Sequence, residues 1–213
     1  RLAGVSRRAN ITYTIKVVDT DDVNAFAVPG GYLYVNRGLI SHAETESELA
    51  GVMGHEVGHI VGRHGSKQIS KQYGLQFITA MILGGGNPGM SRQIAAQFAG
   101  IGGTLGLLHY SREAEREADE FAVQEMYDAG IDPDGMATFF EKLLALHEDA
   151  GGEPSGFQAL FTTHPNTQER VDNARRMIAD LPAKANLKKD TELFRRIKNR
   201  LPAIERGDTG EGE

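Results

Sequence analysis

Residues 55–59 read His-Glu-Val-Gly-His, and this stretch decides both the fold and the chemistry expected of the chain. Apolar residues around it recur at three- and four-residue intervals, which is the period of an α-helix. On a helix, His55 and His59 project from the same face, so both imidazoles can reach one Zn²⁺ ion. Glu56 then lies beside that ion, where a carboxylate can act as a general base. The alternative is a coincidental match on an ordinary amphipathic helix.

A catalytic zinc site needs a third protein ligand from elsewhere in the chain. One known arrangement places a third histidine six residues after the second, but Gly65 occupies that position and His64 is one residue short. We therefore expect His64 to be a solvated residue at the end of the helix, where a cation also suits the helix dipole.

A second predicted helix, over residues 111–129, offers carboxylates as ligands. It begins after Ser111, a residue type that favours the N-cap position. Glu115 and Asp119 are four residues apart and share a face with the apolar stripe of this helix. A zinc ion for Glu115 and a ligand imidazole for Asp119 would supply the partners that buried carboxylates need. The alternative is an ordinary charged and solvated helix face.

Four segments in order resemble the zinc metallopeptidases that include the CAAX prenyl-protein proteases, the HtpX-type heat-shock proteases and the BepA-like periplasmic proteases. The segments are residues 24–31 with Val35 and residues 38–40, residues 55–59, Ser111-Arg112 with Glu115 and Asp119, and Thr163-His164-Pro165 with Arg170. Together they span residues 24–171, which is most of the globular part of the chain. Their combination is far more specific than any one segment.

The resemblance implies a complete ligand set for one zinc ion per chain. Glu115 would be the third ligand beside His55 and His59, and Glu56 the catalytic base. Asp119 would orient one of the ligand imidazoles, a role that metal-bound histidines commonly require of a neighbouring carboxylate.

The resemblance also implies that the loop around His164 lies over the zinc. There His164 could donate a hydrogen bond to the developing oxyanion, or it could occupy the open position of the metal as an inhibitory fourth ligand. Arg170, in the following helix, would orient this loop or a carboxylate.

Composition limits the possible classes of protein. A chain of 213 residues predicts one domain over residues 1–206, with a disordered tail over residues 207–213. The absence of cysteine excludes disulfides and thiolate zinc sites. A net charge of −6 and a pI near 5.7 argue against nucleic acid as the main partner. Because the chain begins at Arg1, we expect a processed or engineered fragment from which a signal peptide or anchor was removed.

The sequence predicts an α+β fold, a predominantly helical zincin-like domain with a small β-sheet before the helix of residues 55–59. Strands are expected at residues 11–19, 24–28 and 32–36, and a turn at Pro29-Gly30-Gly31. Helices are expected at residues 44–64, 111–129, 133–147, 166–180 and 190–200. Strand 32–36 is expected to be an edge strand beside the zinc, to which a polypeptide substrate adds as an extended strand. The alternative is a hairpin with a structural role alone.

Residues 74–109 contain two apolar stretches separated by the Gly-rich residues 84–89. Neither stretch reaches the roughly 20 apolar residues that a membrane span needs. We expect two buried core helices or a helical hairpin, and the alternatives are a mobile lid over the active site or a membrane contact.

These observations predict a zinc metalloendopeptidase of the gluzincin type. From the resemblance we expect unfolded or misassembled envelope proteins as substrates, a periplasmic location in the bacterial cell envelope, and a peripheral-membrane or outer-membrane assembly partner. Two alternatives stay open: a latent zinc-binding, chaperone-like module with little turnover, and a membrane-associated processing protease. The sequence does not predict the oligomeric state.

Overall fold

The computed structural model describes residues 1–71, 74, 110–149, 160, 163–164 and 168–205. The strands are β1 Thr14–Val18, β2 Ala25–Val28 and β3 Tyr32–Asn36. The helices with defined bounds are α1 Leu2–Val5, α2 Arg37–His42, α3 Glu46–Val61, α4 Arg112–Asp128, α5 Asp134–Asp149, α6 Gln168–Ala179 and α7 Glu192–Glu205. Residues 64–71 are also helical. The predicted α+β class, helical with a small sheet before α3, is confirmed.

The three strands form one sheet in the order β1-β3-β2. β2 and β3 are antiparallel, and the turn between them uses Gly30 and Gly31 at φ values of 102° and 92°. β1 pairs with the other side of β3 in parallel. The expectation that strand 32–36 is an edge strand is therefore wrong, because β1 covers the side of β3 that β2 leaves open. A second difference is that residues 37–42 form α2, although the resemblance had placed residues 38–40 with the strand.

The start of α3 is fixed by side chains of its first turn. The Thr45 hydroxyl accepts a hydrogen bond from the Glu48 backbone N–H at 3.3 Å, as an N-cap residue does. The buried Glu48 carboxylate accepts hydrogen bonds from the Glu44 N–H at 2.7 Å and from Lys142 Nζ at 2.9 Å. This network ties the beginning of α3 to α5 and so sets the direction in which the His-Glu-Val-Gly-His segment runs.

Glycines on α3 allow its neighbours to approach closely. A Cβ atom on Gly51 would lie 2.7 Å from the Cα of Met136 on α5, and a Cβ on Gly58 would lie 2.7 Å from the carbonyl oxygen of Ala118 on α4. These separations are well below ordinary van der Waals contact. Gly58 therefore lets α4 pack against α3 at the level where the two helices present their histidines and carboxylates.

The close packing of α3 against α4 leads to a prediction about the free energy of unfolding. We expect Gly58→Ala to lower the free energy of unfolding by about 2 kcal/mol, because overpacking against a backbone outweighs the roughly 1 kcal/mol that alanine gains in helix propensity. Urea unfolding of the zinc-free protein measures this. Gly4→Ala is the matched control, because a Cβ on Gly4 in α1 would meet nothing within 4 Å. Equal midpoints for Gly58→Ala and the wild type would contradict the close approach.

The main core is formed by residues of α2, α3, α4 and α5, with contributions from the sheet. Its largest fully buried apolar side chains include Leu39, Met126, Met136, Phe139 and Leu143. Within the described ranges, no helix is long and apolar enough to cross a membrane. Apart from residue 74, the segment 74–109 lies outside the described residues, as does the tail 207–213, and the single domain over residues 1–206 stays a prediction.

Candidate metal centre

Three separate parts of the chain bring four metal-binding side chains together. His55 and His59 project from one face of α3, Glu115 projects from the first turn of α4, and His164 lies before α6. All four are at most 5% exposed. One potential ligand atom from each lies within 4.8 Å of all the others. The structure thus brings together the residues that the sequence nominated as ligands.

The distances between these atoms fit a small cation. His55 Nε2 lies 2.9 Å from His59 Nε2, 3.1 Å from His164 Nδ1 and 3.3 Å from Glu115 Oε2. Glu115 Oε1 lies 3.1 Å from His164 Nδ1 and 3.4 Å from His59 Nε2. Four ligands at about 2.0–2.1 Å from a tetrahedral zinc would be roughly 3.3–3.4 Å apart. Imidazole nitrogen and carboxylate oxygen donors are among those that bind Zn²⁺ and other divalent transition metals.

Glu56 lies on the same turn of α3, next to the four donors. It is 1% exposed, and its Oε1 has no hydrogen-bond partner among the described residues. His164 Nε2 approaches this oxygen at 3.3 Å without hydrogen-bond geometry. The Ala27 N–H of β2 donates a hydrogen bond to the carboxylate, but burial dominates and raises the pKa of Glu56. A buried carboxylate with an unused oxygen and a raised pKa suits a group that accepts a proton.

The electrostatics of the centre favour a positive charge at its middle. Burial alone would lower the pKa of His55, but the carboxylates of Glu115 and Asp119 outweigh burial and raise it to about 9. Burial lowers the pKa of His59 well below its ordinary value, and the neighbouring His55 adds to this effect. Burial would raise the pKa of Glu115, but His164 and His55 hold it below its usual range. The carboxylates of Glu115 and Asp119 therefore favour a positive charge in this buried group of side chains, and a bound metal cation would supply one.

Asp119 and Arg170 support the donors from behind. Asp119 Oδ1 lies 2.8 Å from His55 Nδ1, and Arg170 donates to both Asp119 oxygens at 2.7 and 2.9 Å. Arg170 Nη1 also lies 3.1 Å from Glu115 Oε2, and its guanidinium packs over the Phe140 ring at 4.6 Å. Arg170 therefore joins the two carboxylates of α4 to α6. The sequence had nominated both residues, and Arg170 was expected to orient either the loop around His164 or a carboxylate.

Sequence reasoning missed three residues around His59. His64 was expected in solvent, but it is 4% exposed, and its Nδ1 lies 2.9 Å from His59 Nδ1. Its Nε2 contacts Glu117 Oε2 at 3.0 Å. The Tyr110 ring stacks on His59 with 4.0 Å between centroids. The expectation for His64 was wrong because Arg63 adopts a φ of 56°, which turns the chain back over the helix, and helical periodicity carries no signal for such a turn.

Among the cavities that adjoin the centre in the described part of the chain, two lie along α3. The first lies between β2 and the end of α3 and is lined in part by Ala27, Pro29, Ile60 and Tyr110. The second touches Glu56 and His164, and its apolar wall consists of Val52, Phe140, Leu143 and Leu160. The centre is thus flanked on one side by a strand and on the other by an apolar recess.

Comparison with known proteins gives relatives that are proteases by name. Metalloprotease LoiP of Escherichia coli strain K12 is 36% identical over 167 residues, which are 78% of this chain and 63% of that protein. Mitochondrial metalloendopeptidase OMA1 of Arabidopsis thaliana is 32% identical over 168 residues, 79% of this chain and 32% of that protein. The beta-barrel assembly-enhancing protease of Escherichia coli strain K12 is 28% identical over 186 residues, 82% of this chain and 36% of that protein.

The chain spans less than two thirds of the length of each of these relatives. The family model of Peptidase family M48 matches residues 1–178, which is most of this chain. That range includes α3, α4, His164 and Arg170, and hence every residue of the centre. The resemblance seen in the sequence is confirmed, and the chain belongs to Peptidase family M48.

Proposed function

We propose that this chain is a zinc-dependent metalloendopeptidase. The observation that carries the proposal is the buried set of four donors, from His55, His59, Glu115 and His164, with the Glu56 carboxylate beside it. His55, His59 and Glu115 would hold the zinc. The same arrangement of two histidines on one helix and a carboxylate from another is typical of catalytic zinc sites.

The chemistry divides between the metal and the protein. When bound, zinc supplies a Lewis acid that activates water and polarises the carbonyl of the scissile peptide bond. Glu56 accepts the proton of the attacking water and later delivers it to the leaving amine nitrogen. Asp119 and Arg170 keep the His55 ring and the Glu115 carboxylate in place through the bonds described above. The buried surroundings strengthen each of these charged contacts.

We propose that the substrate is an unfolded polypeptide bound as an extended strand along β2. Within the described residues, β2 pairs on one side alone, with β3, and its Ala27 N–H reaches Glu56 on the side of the centre. Strand addition aligns a peptide through backbone hydrogen bonds and makes few demands on its side chains. Val52, Phe140 and Leu143 form an apolar wall beside Glu56, which favours an apolar substrate side chain near the scissile bond.

Removal of the metal tests the proposal directly. The zinc-loaded protein is expected to cleave casein, an unfolded probe, and to stop when a chelator removes the metal, with recovery on addition of Zn²⁺. Continued cleavage without metal would contradict the assignment. So would failure of both the wild type and His164→Ala to cleave, and that outcome would favour the latent, chaperone-like module.

We propose that His164 keeps the centre in a latent state. Its Nδ1 lies 3.1 Å from both His55 Nε2 and Glu115 Oε1, and its Nε2 lies 3.3 Å from Glu56 Oε1. The ring therefore occupies the space between the donors and the base, which the attacking water needs. This contact favours the role of an inhibitory fourth ligand over that of an oxyanion donor.

His164→Ala is accordingly expected to raise the rate of casein cleavage about tenfold, as for an enzyme of which about one tenth is competent. Initial rates at saturating zinc measure this, and His42→Ala, in α2 away from the centre, is the control. A lower rate in His164→Ala would instead assign His164 as an oxyanion donor.

We further propose that the substrates are unfolded or misassembled proteins of the bacterial envelope and that the chain acts in the periplasm. Support comes from the Escherichia coli relative that is named for β-barrel assembly. An outer-membrane assembly machinery is the corresponding partner. Fractionation of cells that produce the full-length protein tests the location, and recovery in the cytoplasmic fraction alone would contradict it.

A further inference from the structure

The chain after α3 turns back so that one side chain covers the outer edge of His59. Gly62 ends the helix, and Arg63 adopts a left-handed φ of 56°, which is uncommon and strained for a residue with a side chain. A Cβ atom on Gly62 would lie 2.3 Å from His64 Nε2, so the return of the His64 ring depends on glycine at this position. Strain of this kind persists where the surrounding structure holds it in place.

The returned ring completes a chain of polar contacts. His59 Nδ1 lies 2.9 Å from His64 Nδ1, and His64 Nε2 lies 3.0 Å from Glu117 Oε2. The carboxylate of Glu117 can only accept, so a hydrogen bond there places the proton of a neutral His64 on Nε2. His64 Nδ1 is then an acceptor, and the bond requires that His59 carries its proton on Nδ1. This leaves the lone pair of His59 on Nε2, which faces the metal centre.

The same logic operates at the other ligand imidazole, where Asp119 Oδ1 contacts His55 Nδ1 at 2.8 Å. Thus each histidine of α3 has a hydrogen-bond acceptor next to its Nδ1, and each of these contacts involves a carboxylate of α4. Asp119 makes the contact directly, whereas Glu117 acts through an interposed imidazole.

We propose that His64, backed by Glu117, is a positioning residue that fixes the tautomer and the ring orientation of His59 for zinc. The inference rests on the proposed metal site and deepens it. His64 is not itself a ligand, because its Nδ1 contacts the Nδ1 of His59, on the side of that ring opposite the centre, and its Nε2 contacts Glu117. The Tyr110 ring stacks on His59 with 4.0 Å between centroids and so restrains the tilt of the imidazole together with the Nδ1 contact.

The test compares zinc affinity among variants of His64 and Glu117, measured by competition with a chelating dye. His64→Leu fills much of the same space with an apolar side chain but offers no hydrogen-bond acceptor. It is expected to weaken zinc binding about 10–100-fold. His64→Asn places a carboxamide oxygen the same number of bonds from Cα as Nδ1, so it can accept from His59. Its zinc affinity is expected to stay within about tenfold of the wild type. Thermal melting of each zinc-free variant reports any effect on folding.

Glu117→Gln extends the comparison to the end of the chain of contacts. It is expected to weaken zinc binding less than His64→Leu, because the glutamine oxygen still accepts from His64 but lacks charge. Glu120→Gln, at another exposed glutamate of α4, is the matched control and is expected to match the wild type.

Two results would overturn the inference while leaving the metal site intact. One is an unchanged zinc affinity in a folded His64→Leu protein. The other is that His64→Leu and His64→Asn lose zinc affinity equally and that their zinc-free melting temperatures are also lowered equally. That result would mean that His64 acts on folding alone. If the wild type itself bound no zinc, the proposed metal site would fail, and the inference with it.

Discussion

Glu56→Gln is expected to retain one zinc ion per chain and to cleave casein about 10²–10⁴-fold more slowly than the wild type. The amide has nearly the same shape as the carboxylate, so the fold and the donors should be unchanged. The amide cannot accept a proton from the attacking water. The Glu56 Oε1 atom, which has no hydrogen-bond partner among the described residues, is then no longer a basic carboxylate oxygen. Zinc content and initial cleavage rates on the same preparation measure the two effects separately.

The comparison for Glu56→Gln should be made in the His164→Ala background as well as in the wild type. There the base is freed from the His164 ring, so the loss caused by Glu56→Gln should be at least as large. Glu113→Gln, at an exposed glutamate of α4, controls for the removal of one negative charge. Undiminished cleavage in Glu56→Gln would show that another group accepts the proton.

Glu115→Gln is expected to weaken zinc binding more than about 100-fold, which exceeds the usual effect of changing a residue that merely supports a ligand. The carboxylate supplies the negative charge that balances the cation, and it lies within 3.4 Å of His59 and within 3.3 Å of His55. The variant also removes an ionic partner of Arg170. Competition with a chelating dye gives the dissociation constant, and metal content after dialysis gives the occupancy.

Glu113→Gln serves again as the control for Glu115→Gln, because Glu113 lies on the same turn of α4 and is exposed. Zinc affinity equal to that of the wild type in Glu115→Gln would mean that the third ligand comes from elsewhere in the chain. An equal loss in both variants would mean that net charge, rather than ligation, controls the affinity.

Local sequence patterns predicted the elements that carry the site. The apolar spacing around residues 55–59 and the Ser111 N-cap identified α3 and α4, and the shared face of Glu115 and Asp119 followed from helical geometry. Such features can be read from the sequence because each depends on residues within a few positions of one another. The turn between β2 and β3 was predictable for the same reason, because Gly30 and Gly31 supply positive φ angles.

Features that depend on distant parts of the chain could not be read in the same way. The pairing of β1 with β3 is a contact across the sheet, and no alternation pattern reveals which side of a strand is occupied. The burial of His64 depends on the left-handed turn at Arg63 and on Glu117, 53 residues later. The places of His164 and Arg170 came from the resemblance to a family, since neither residue has a periodic pattern that points to the centre.

The most direct test of the metal centre is an anomalous difference map at the zinc absorption edge from a crystal soaked in Zn²⁺. One strong peak is expected within about 2.0–2.2 Å of His55 Nε2, His59 Nε2 and a Glu115 oxygen, with His164 as the fourth ligand. A site still empty after soaking, or a peak that Glu115 does not contact, would contradict this assignment.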